Sequence, residues 1–282
     1  MANVQNKLGV MQGRLVEKYL GRYQAHPKNY WKDEFHIAKK LGLDCIEFIL
    51  DYNDYNQNPL LTKNGIEQIQ NISDETGIEI KTICADYFMD APIHSEDLKV
   101  VDQSKKVLLT LINNASKLGV TDIVIPCVDN SSIDESSSSI FVKHLSQVLE
   151  VAENKKINLS LETDLPPESF LSLLDLFDSK RVTVNYDIGN SASLGFNPIE
   201  ELNCYGNRIT DIHIKDRELN GGPVILGQGN ADFNVFFNKL KEFNYSGPFI
   251  MQAYRDDEGL QIFKEQLEWI KPFLEKINYA QD

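Results

Sequence analysis

Residues 31–50 read WKDEFHIAKKLGLDCIEFIL, and this stretch decides the fold. Its first half spaces apolar residues as an amphipathic helix does, whereas its end, CIEFIL, is a short and almost wholly apolar run. Gly42 lies between the two halves, where a helix ends and the chain turns with a positive φ. An apolar run in this position is typical of a buried parallel strand. The stretch therefore predicts a helix followed by a buried strand.

The same order of elements recurs along the chain. Residues 66–85 (IEQIQNISDETGIEIKTICA) and residues 108–127 (LLTLINNASKLGVTDIVIPC) repeat it, with Gly77 and Gly119 at the turn. Helical patterns separate the apolar runs, and the predicted strands are Leu8–Met11, Cys45–Ile49, Ile78–Cys84, Ile123–Cys127, Ile157–Glu162, Val182–Asp187, Ile209–Ile214 and Phe249–Gln252.

This alternation of strands and helices predicts the fold class. Eight repeats over about 250 residues are typical of a (β/α)8 TIM barrel, an α/β fold. A doubly wound open sheet is the alternative, but no GxGxxG motif follows the first strand to support it. No linker stands out along the chain, so we expect a single barrel domain over residues 1–282.

Composition narrows the possible functions. Of the 282 residues, 42% are hydrophobic and 25% are charged, as in an ordinary globular protein. The net charge of −14 argues against nucleic acid, which needs a basic face, and against an anionic membrane surface. The four cysteines form no CxxC pair, and no run has the length of a signal peptide or a membrane span. We therefore expect a cytoplasmic protein.

The carboxyl ends of the predicted strands carry the residues that could do chemistry, because active residues of barrels lie at that edge. Glu162, Asp187 and His213 lie at such positions on three consecutive strands, and their oxygen and nitrogen atoms suit Mn²⁺, Zn²⁺, Co²⁺ or Mg²⁺. A lone carboxylate there is often only a helix N-cap, and a lone histidine is often structural. The three in this order predict a site for one divalent metal ion.

Further polar residues at the same edge are candidates for substrate contacts. They are Asp86, Asn190, Lys215, Arg217 and Arg255. We expect the cations among them to recognise a phosphate or carboxylate, with help from the backbone amides of Gly227 and Gly229. The alternative is that the cations pair with Asp216, Asp256 and Asp257 and shape the loops.

Seven motifs resemble one known family, in the same order along the chain: GLDCIEFILD, IHSED, LSLETD, YDIGNSAS, IHIKD, LGQGNADF and GPFIMQ. The family is that of the xylose-isomerase-like sugar and sugar-phosphate isomerases and epimerases. The resemblance is closest to the L-ribulose (L-xylulose) 5-phosphate 3-epimerases and ketose 3-epimerases, and it spans nearly the whole chain. It implies a TIM barrel, a divalent metal ion, a sugar or sugar phosphate as substrate, and a homodimer or homotetramer.

Carried over residue by residue, the resemblance implies four metal ligands: Glu162, Asp187, His213 and Gln252. The first and last also correspond to the two catalytic acid/bases of the family, one on each face of the sugar carbon. Glu47 matches a glutamate that lines the pocket and forms hydrogen bonds there. The chain departs from the family pattern because Gln252 stands where glutamate is usual, and Gln228 departs similarly.

The amide at position 252 changes the expected mechanism. An amide cannot move a proton at neutral pH, although its carbonyl oxygen can still bind a hard metal ion. Three interpretations stay open. In the first, Glu162 moves a proton along one face as a single base, or a hydride shifts directly while Lys215 and the metal polarise the substrate oxygens. In the second, another acid, among Asp86, Glu47 and Tyr254, replaces the missing base. In the third, the site is inactive and only binds a sugar.

Two other activities of the same superfamily are weighed against an isomerase or epimerase. A lyase similar to inosose dehydratases is not excluded by the sequence. A zinc-dependent apurinic endonuclease is disfavoured, because it needs many histidine ligands and a basic face. This chain has five histidines and a net charge of −14. We therefore expect a metal-dependent sugar isomerase or epimerase, with an inactive sugar-binding protein and a lyase as the alternatives.

Overall fold

The computed structural model describes residues 6–278, and eight strands within that range form a closed parallel barrel. The barrel strands are β1 (Leu8–Met11), β2 (Cys45–Ile49), β3 (Glu79–Cys84), β4 (Asp122–Cys127), β5 (Asn158–Thr163), β6 (Val182–Asp187), β7 (Ile209–Ile214) and β10 (Phe249–Met251). Between β7 and β10, a small ribbon pairs β8 (Asp216–Arg217) with β9 (Pro223–Val224). The pairing of β1 with β10, Leu8 opposite Phe249, closes the ring.

Helices surround the barrel and connect its strands. They are α1 (Trp31–Lys40), α2 (Lys63–Thr76), α3 (Tyr87–Asp90), α4 (Leu98–Leu118), α5 (Glu135–Lys155), α6 (Pro167–Asp175), α7 (Ile188–Leu194), α8 (Pro198–Tyr205), α9 (Phe233–Leu240) and α10 (Gln261–Asn278). Gly77 and Gly119 end α2 and α4 with φ of 78° and 75°, the left-handed conformation expected of a glycine C-cap. Local sequence thus sets where these helices stop.

The barrel interior is divided into layers. At the amino ends of the strands, the Ser160 hydroxyl bonds to Asp122 (2.9 Å) and to Thr183 (2.8 Å). A separate apolar cluster consists of Met11, Cys45, Ile49, Cys84, Val124 and Ile250. Gly9 belongs to this layer because an added Cβ would lie 2.6 Å from the Cys45 Sγ. The polar side chains of the site collect at the carboxyl ends of the strands.

The predicted (β/α)8 barrel is confirmed. Strands β1, β2, β6 and β7 have the predicted bounds, β3, β4 and β10 differ by one residue at one end, and β5 is shifted by one residue at both ends. Two short helices, α3 and α7, were not predicted, because each begins within three residues of a strand end and is too short for a periodic signal. Within residues 6–278, no helix has both the length and the apolar character needed to cross a bilayer.

Gly9→Ala is expected to lower the free energy of unfolding by about 1–3 kcal/mol, because a methyl group would overpack the apolar layer against Cys45 and Ile250. Urea unfolding followed by circular dichroism measures the change. Gly222→Ala is the matched control, since nothing lies within 4 Å of its added Cβ. The control should stay within about 0.5 kcal/mol of the parent protein. Equal stability of the two variants would contradict the layered packing.

Candidate active site

Three strands bring Glu162, Asp187 and His213 to one point at the carboxyl end of the barrel. One ligand atom from each residue lies within 4.8 Å of the others, and all three side chains are buried. Asp187 and His213 are register partners of β6 and β7, so their proximity follows directly from the strand pairing. Glu162 comes from the neighbouring strand β5. The structure therefore brings together the three residues that the strand ends predicted.

Asp187 has two tasks. Asp187 is the N-cap of α7, and its Oδ1 accepts a hydrogen bond from the backbone N–H of Asn190 at 2.8 Å. Its Oδ2 accepts one from Lys215 Nζ at 3.3 Å and lies 3.9 Å from His213 Nδ1. Burial alone would raise the pKa of Asp187, but Lys215 and His213 outweigh it and lower that pKa to about 2. Asp187 is thus a permanent anion, and capping does not exclude a role in the site.

Glu162 is poised to exchange a proton. Burial, together with the negative charge of Asp187, raises the pKa of Glu162 to about 7. Its Oε1 accepts a hydrogen bond from Asn190 Nδ2 at 2.5 Å, which holds the carboxyl group in place. A carboxyl group whose pKa lies near neutrality can take up and release a proton at little cost, as a general acid–base catalyst must.

His213 lies between two groups of carboxylates. Its Nδ1 faces Asp187, whereas its Nε2 lies 2.9 Å from Glu47 Oε1 and 3.6 Å from Asp211 Oδ2. Burial would lower the pKa of His213, but Glu47, Asp187 and Asp211 together raise it well above its usual value. Glu47 is fully buried beneath the imidazole rather than lining the cavity. Its carboxylate thus contacts His213, not the space open to a substrate.

Asp211 is a site residue that the sequence analysis missed. It is completely buried, and with Glu47 and His213 it forms a second group whose ligand atoms lie within 4.8 Å of one another. Burial, followed by the charge of Glu47, raises the pKa of Asp211 to about 7. The signal was present, because residues two apart on a strand point to the same face and Asp211 precedes His213 by two.

Gln252 follows β10, and its side-chain amide has a fixed orientation. The Gln252 Nε2 donates to Gln24 Oε1 at 2.7 Å, and Gln24 Nε2 in turn donates to Asp86 Oδ2 at 3.2 Å. The carbonyl oxygen of Gln252 is buried and has no hydrogen-bond partner within the described range 6–278. A buried carbonyl oxygen without a partner is costly unless a ligand satisfies it.

These donors fit a divalent cation. Carboxylate oxygens of Glu162 and Asp187 and a ring nitrogen of His213 converge, and the unpartnered Oε1 of Gln252, a residue of the same cavity as Glu162, offers a further oxygen. Such a set suits Mn²⁺, Zn²⁺, Co²⁺ or Mg²⁺, and a buried cation would offset the surplus of negative charge. These groups could therefore hold a metal ion.

A cavity of about 330 Å³ opens above these groups, within the range of about 300–1,000 Å³ typical of small-molecule sites. Its lining consists of Gln24, Asp86, Met89, Pro126, Val128, Asp129, Glu162, Thr163, Asp164, Asn190, Ser193, Leu194, Lys215, Arg217 and Gln252. Polar groups therefore outnumber apolar ones, as suits a ligand with many hydroxyl groups.

The side chain of Asn190 forms hydrogen bonds with the cations Lys215 and Arg217 and with the acid Glu162. Its Oδ1 accepts from Lys215 Nζ at 3.0 Å and from Arg217 Nη1 at 2.8 Å, while its Nδ2 donates to Glu162. Gly189 makes this possible, because an added Cβ there would lie 2.7 Å from Lys215 Cγ. Asp86, Asn190, Lys215 and Arg217 thus all reach the cavity that the sequence analysis assigned to them.

The glycine amides and Arg255 lie elsewhere. Gly227 N and Gly229 N each donate to Asp216 Oδ2 at 2.9 Å, so they offer no free donor to a substrate. Asp216 is fully buried, and an added Cβ at Gly229 would lie 2.2 Å from its Oδ1, which explains the glycine. Arg255 lies outside the cavity lining, where its Nε donates to the Arg14 carbonyl at 2.7 Å. These contacts favour the alternative in which such residues shape the loops.

The sequence of this chain is similar to those of known proteins. The family model described as xylose isomerase-like TIM barrel matches residues 35–273. The chain is 29% identical over 276 residues to the putative L-ribulose-5-phosphate 3-epimerase SgbU of Haemophilus influenzae, covering 91% of this chain and 96% of that protein. It is 24% identical over 258 residues to the L-ribulose-5-phosphate 3-epimerase UlaE of Escherichia coli, covering 87% and 90%.

A solved structure shows the same architecture. The crystal structure of the IOLI protein with a binding zinc atom superposes on this chain with a TM-score of 0.73, covering 96% of this chain and 98% of that one. The two sequences are 18% identical, so this likeness shows the fold alone.

Asp216→Asn is expected to loosen the loop of residues 225–231, because a side-chain NH₂ would replace an oxygen that accepts backbone N–H groups. We expect faster hydrogen exchange at Gly227, Gly229 and Ala231 and a loss of about 1–3 kcal/mol in unfolding free energy. Exchange measured by NMR tests this. Glu218→Gln, at an exposed site nearby, is the control. Unchanged protection in Asp216→Asn would mean that the loop is held by other contacts.

Proposed function

Because the chain belongs to the xylose isomerase-like TIM barrel family, we propose that it is a divalent-metal-dependent isomerase or epimerase of a ketose or ketose phosphate. The reaction is proton transfer at a carbon next to a carbonyl group. One observation carries the proposal: Glu162, with a pKa of about 7, lines the cavity together with Gln252 and lies beside the anion Asp187 and the imidazole of His213. The names of the relatives support an epimerase and a pentulose 5-phosphate as substrate.

The metal ion would be held by Glu162, Asp187, His213 and Gln252. Such a cation polarises a substrate carbonyl and lowers the pKa of the adjacent C–H bond. The identity of the ion in this chain stays a prediction between Mn²⁺, Zn²⁺, Co²⁺ and Mg²⁺. The second group, Glu47 with Asp211, contacts Nε2 of His213 and orients its Nδ1 toward the other ligands.

Glu162 removes the substrate proton. Asn190 Nδ2 holds the Oε1 of Glu162, so Oε2 is the atom that takes up the proton. Lys215 Nζ and Arg217 Nη1 converge on Asn190 Oδ1, and there they orient the hydroxyl or phosphate oxygens of the substrate. Met89, Pro126, Val128 and Leu194 supply apolar wall that limits water near the reacting carbon.

The second candidate is a sugar-binding protein without catalytic activity, and Gln252 is the observation that favours it. An amide can neither give nor accept a proton in this reaction. A lyase similar to inosose dehydratases would use the same base and cation. The cytoplasmic location and the homodimer or homotetramer stay predictions, and the cysteines of the described range, all free, fit the former.

Glu162→Gln is expected to abolish deuterium uptake from D₂O into L-ribulose 5-phosphate in the presence of Mn²⁺. A general base contributes a factor of about 10²–10⁴, so the rate should fall at least about 100-fold. Mass spectrometry of the recovered sugar measures it. Glu168→Gln, at an exposed position of α6, should behave like the parent protein. Uptake within a few-fold of the parent value in Glu162→Gln would show that another group is the base.

Binding of Mn²⁺ is expected to weaken as pH falls from about 8 to 6. The raised pKa of His213 means that its proton must leave before the imidazole can bind the ion, and Glu162, with a pKa of about 7, adds to the competition. Affinity should change by about tenfold per pH unit for each proton released. Calorimetry in two buffers of different ionisation enthalpy counts those protons.

The control for this titration is His36→Gln, which replaces a half-exposed histidine of α1 outside the site. It should leave the affinity and the proton count unchanged. An affinity that did not depend on pH would mean that His213 does not bind the ion.

A further inference from the structure

We propose that Asp86 is the second acid–base residue of the active site and takes the place of the glutamate that is absent at position 252. The inference rests on the proposed function, since it concerns the same proton transfer. Asp86 lies two residues after the end of β3, and Glu162 lies next to the last residue of β5. The two carboxyl groups therefore enter the cavity from different strands of the ring. Both line the cavity that holds Lys215.

The position of Asp86 distinguishes it from the other acids considered. Glu47 lies beneath His213 and is fully buried away from the cavity, and Tyr254 is outside the cavity lining. Asp129 and Asp164 do line the cavity, but they are exposed or half-exposed at its rim. Asp86 is buried, 9% exposed, and is therefore better shielded from bulk water than Asp129 and Asp164.

Two side chains hold the Asp86 carboxyl group in place. Cys84 Sγ donates to its Oδ1 at 3.1 Å and Gln24 Nε2 donates to its Oδ2 at 3.2 Å. Burial raises the pKa of Asp86, and these two hydrogen bonds offset only part of that effect. Asp86 can therefore carry a proton nearer to neutral pH than an ordinary aspartate, as an acid catalyst must.

The glutamine at position 252 belongs to the same arrangement. Gln252 Nε2 donates to Gln24 Oε1 at 2.7 Å, which fixes the Gln24 amide so that its own Nε2 points to Asp86. A glutamate at position 252 has no N–H group to donate and would repel the oxygen of Gln24. The amide at 252 and the acid at 86 are thus a matched pair, with Gln24 as the positioning residue between them.

The proposed reaction consists of two proton transfers at one carbon of the sugar. Glu162 takes the proton from the carbon beside the carbonyl, and the electron pair of that C–H bond enters the enediolate. A proton carried by Asp86 passes to the opposite face of the same carbon, and a new C–H bond forms with inverted configuration. Glu162 is then protonated and Asp86 ionised, and proton exchange with solvent restores the starting state. No oxidant or other reactant is needed.

Asp86→Asn in D₂O with Mn²⁺ and L-ribulose 5-phosphate tests the role of Asp86. Formation of the 3-epimer should fall at least about 100-fold, because the second face has lost its acid. Deuterium uptake into the recovered substrate should stay within a few-fold of the parent rate, since Glu162 is intact. Exchange without inversion is the specific signature. Asp90→Asn, four residues along and exposed on α3, is the matched control and should epimerise normally.

The outcomes separate this inference from the proposed function. Epimer formation within a few-fold of the parent rate in Asp86→Asn overturns the role of Asp86 and leaves the epimerase intact. Loss of both exchange and inversion, with Mn²⁺ affinity and melting temperature preserved, also overturns it, because Asp86 would then act before the second transfer. Absence of exchange and product in the parent protein overturns the proposed function and this inference with it.

A measurement on the parent protein keeps the inference testable if Asp86→Asn does not fold. If two separate residues carry out the two proton transfers, a single turnover in D₂O places a solvent deuteron in nearly every product molecule. If a single base carries out both transfers, it returns part of the original proton to the product. Product with almost complete deuterium content supports Asp86, and substantial retention of the substrate proton overturns it.

Discussion

The site depends on the burial of several carboxylates around one imidazole. Glu47, Glu162, Asp187 and Asp211 all approach His213 inside the barrel, toward the carboxyl ends of its strands. Two like charges 4 Å apart repel by about 4 kcal/mol at an effective dielectric constant near 20, so these acids cannot all remain ionised without compensation. The chain compensates in three ways: Lys215 pairs with Asp187, His213 holds a proton, and the pKa values of Glu162 and Asp211 rise to about 7. Each of these reduces the net negative charge around His213, and a bound divalent cation would reduce it more completely.

Gln252 is consistent with this charge balance. Two carboxylates, one imidazole and one amide give a ligand set with two negative charges, which a divalent ion neutralises. A glutamate at 252 would add a third negative charge to a region that already holds Glu47 and Asp211. The amide instead contributes an oxygen without charge and uses its nitrogen to bind Gln24. The change at this position therefore alters proton chemistry while it preserves the capacity to hold a cation.

Strand pairing explains which site residues the sequence could predict. Glu162, Asp187 and His213 were predictable because parallel strands end at one edge and side chains alternate along them. Gln24 carried no such signal, since it lies in the long segment between β1 and α1 and reaches Asp86 only through the folded loop. The amides of Gly227 and Gly229 were expected to face a substrate, but their direction depends on a buried carboxylate, Asp216, that they enclose. Non-local contacts of this kind leave no periodic trace in the sequence.

The segment Asp187–Asn190 shows how closely the site is tied to the fold. Asp187 caps α7 and faces His213, Ile188 is buried in the core, and Asn190 bonds to Glu162. Gly189 completes the set, because any side chain there would strike the stem of Lys215 and move its ammonium group from Asp187. Without that ammonium, the anionic state of Asp187 would be less favoured in its buried position, since Lys215 is the main group that lowers its pKa. The glycine is therefore an electrostatic requirement of the site as well as a steric one.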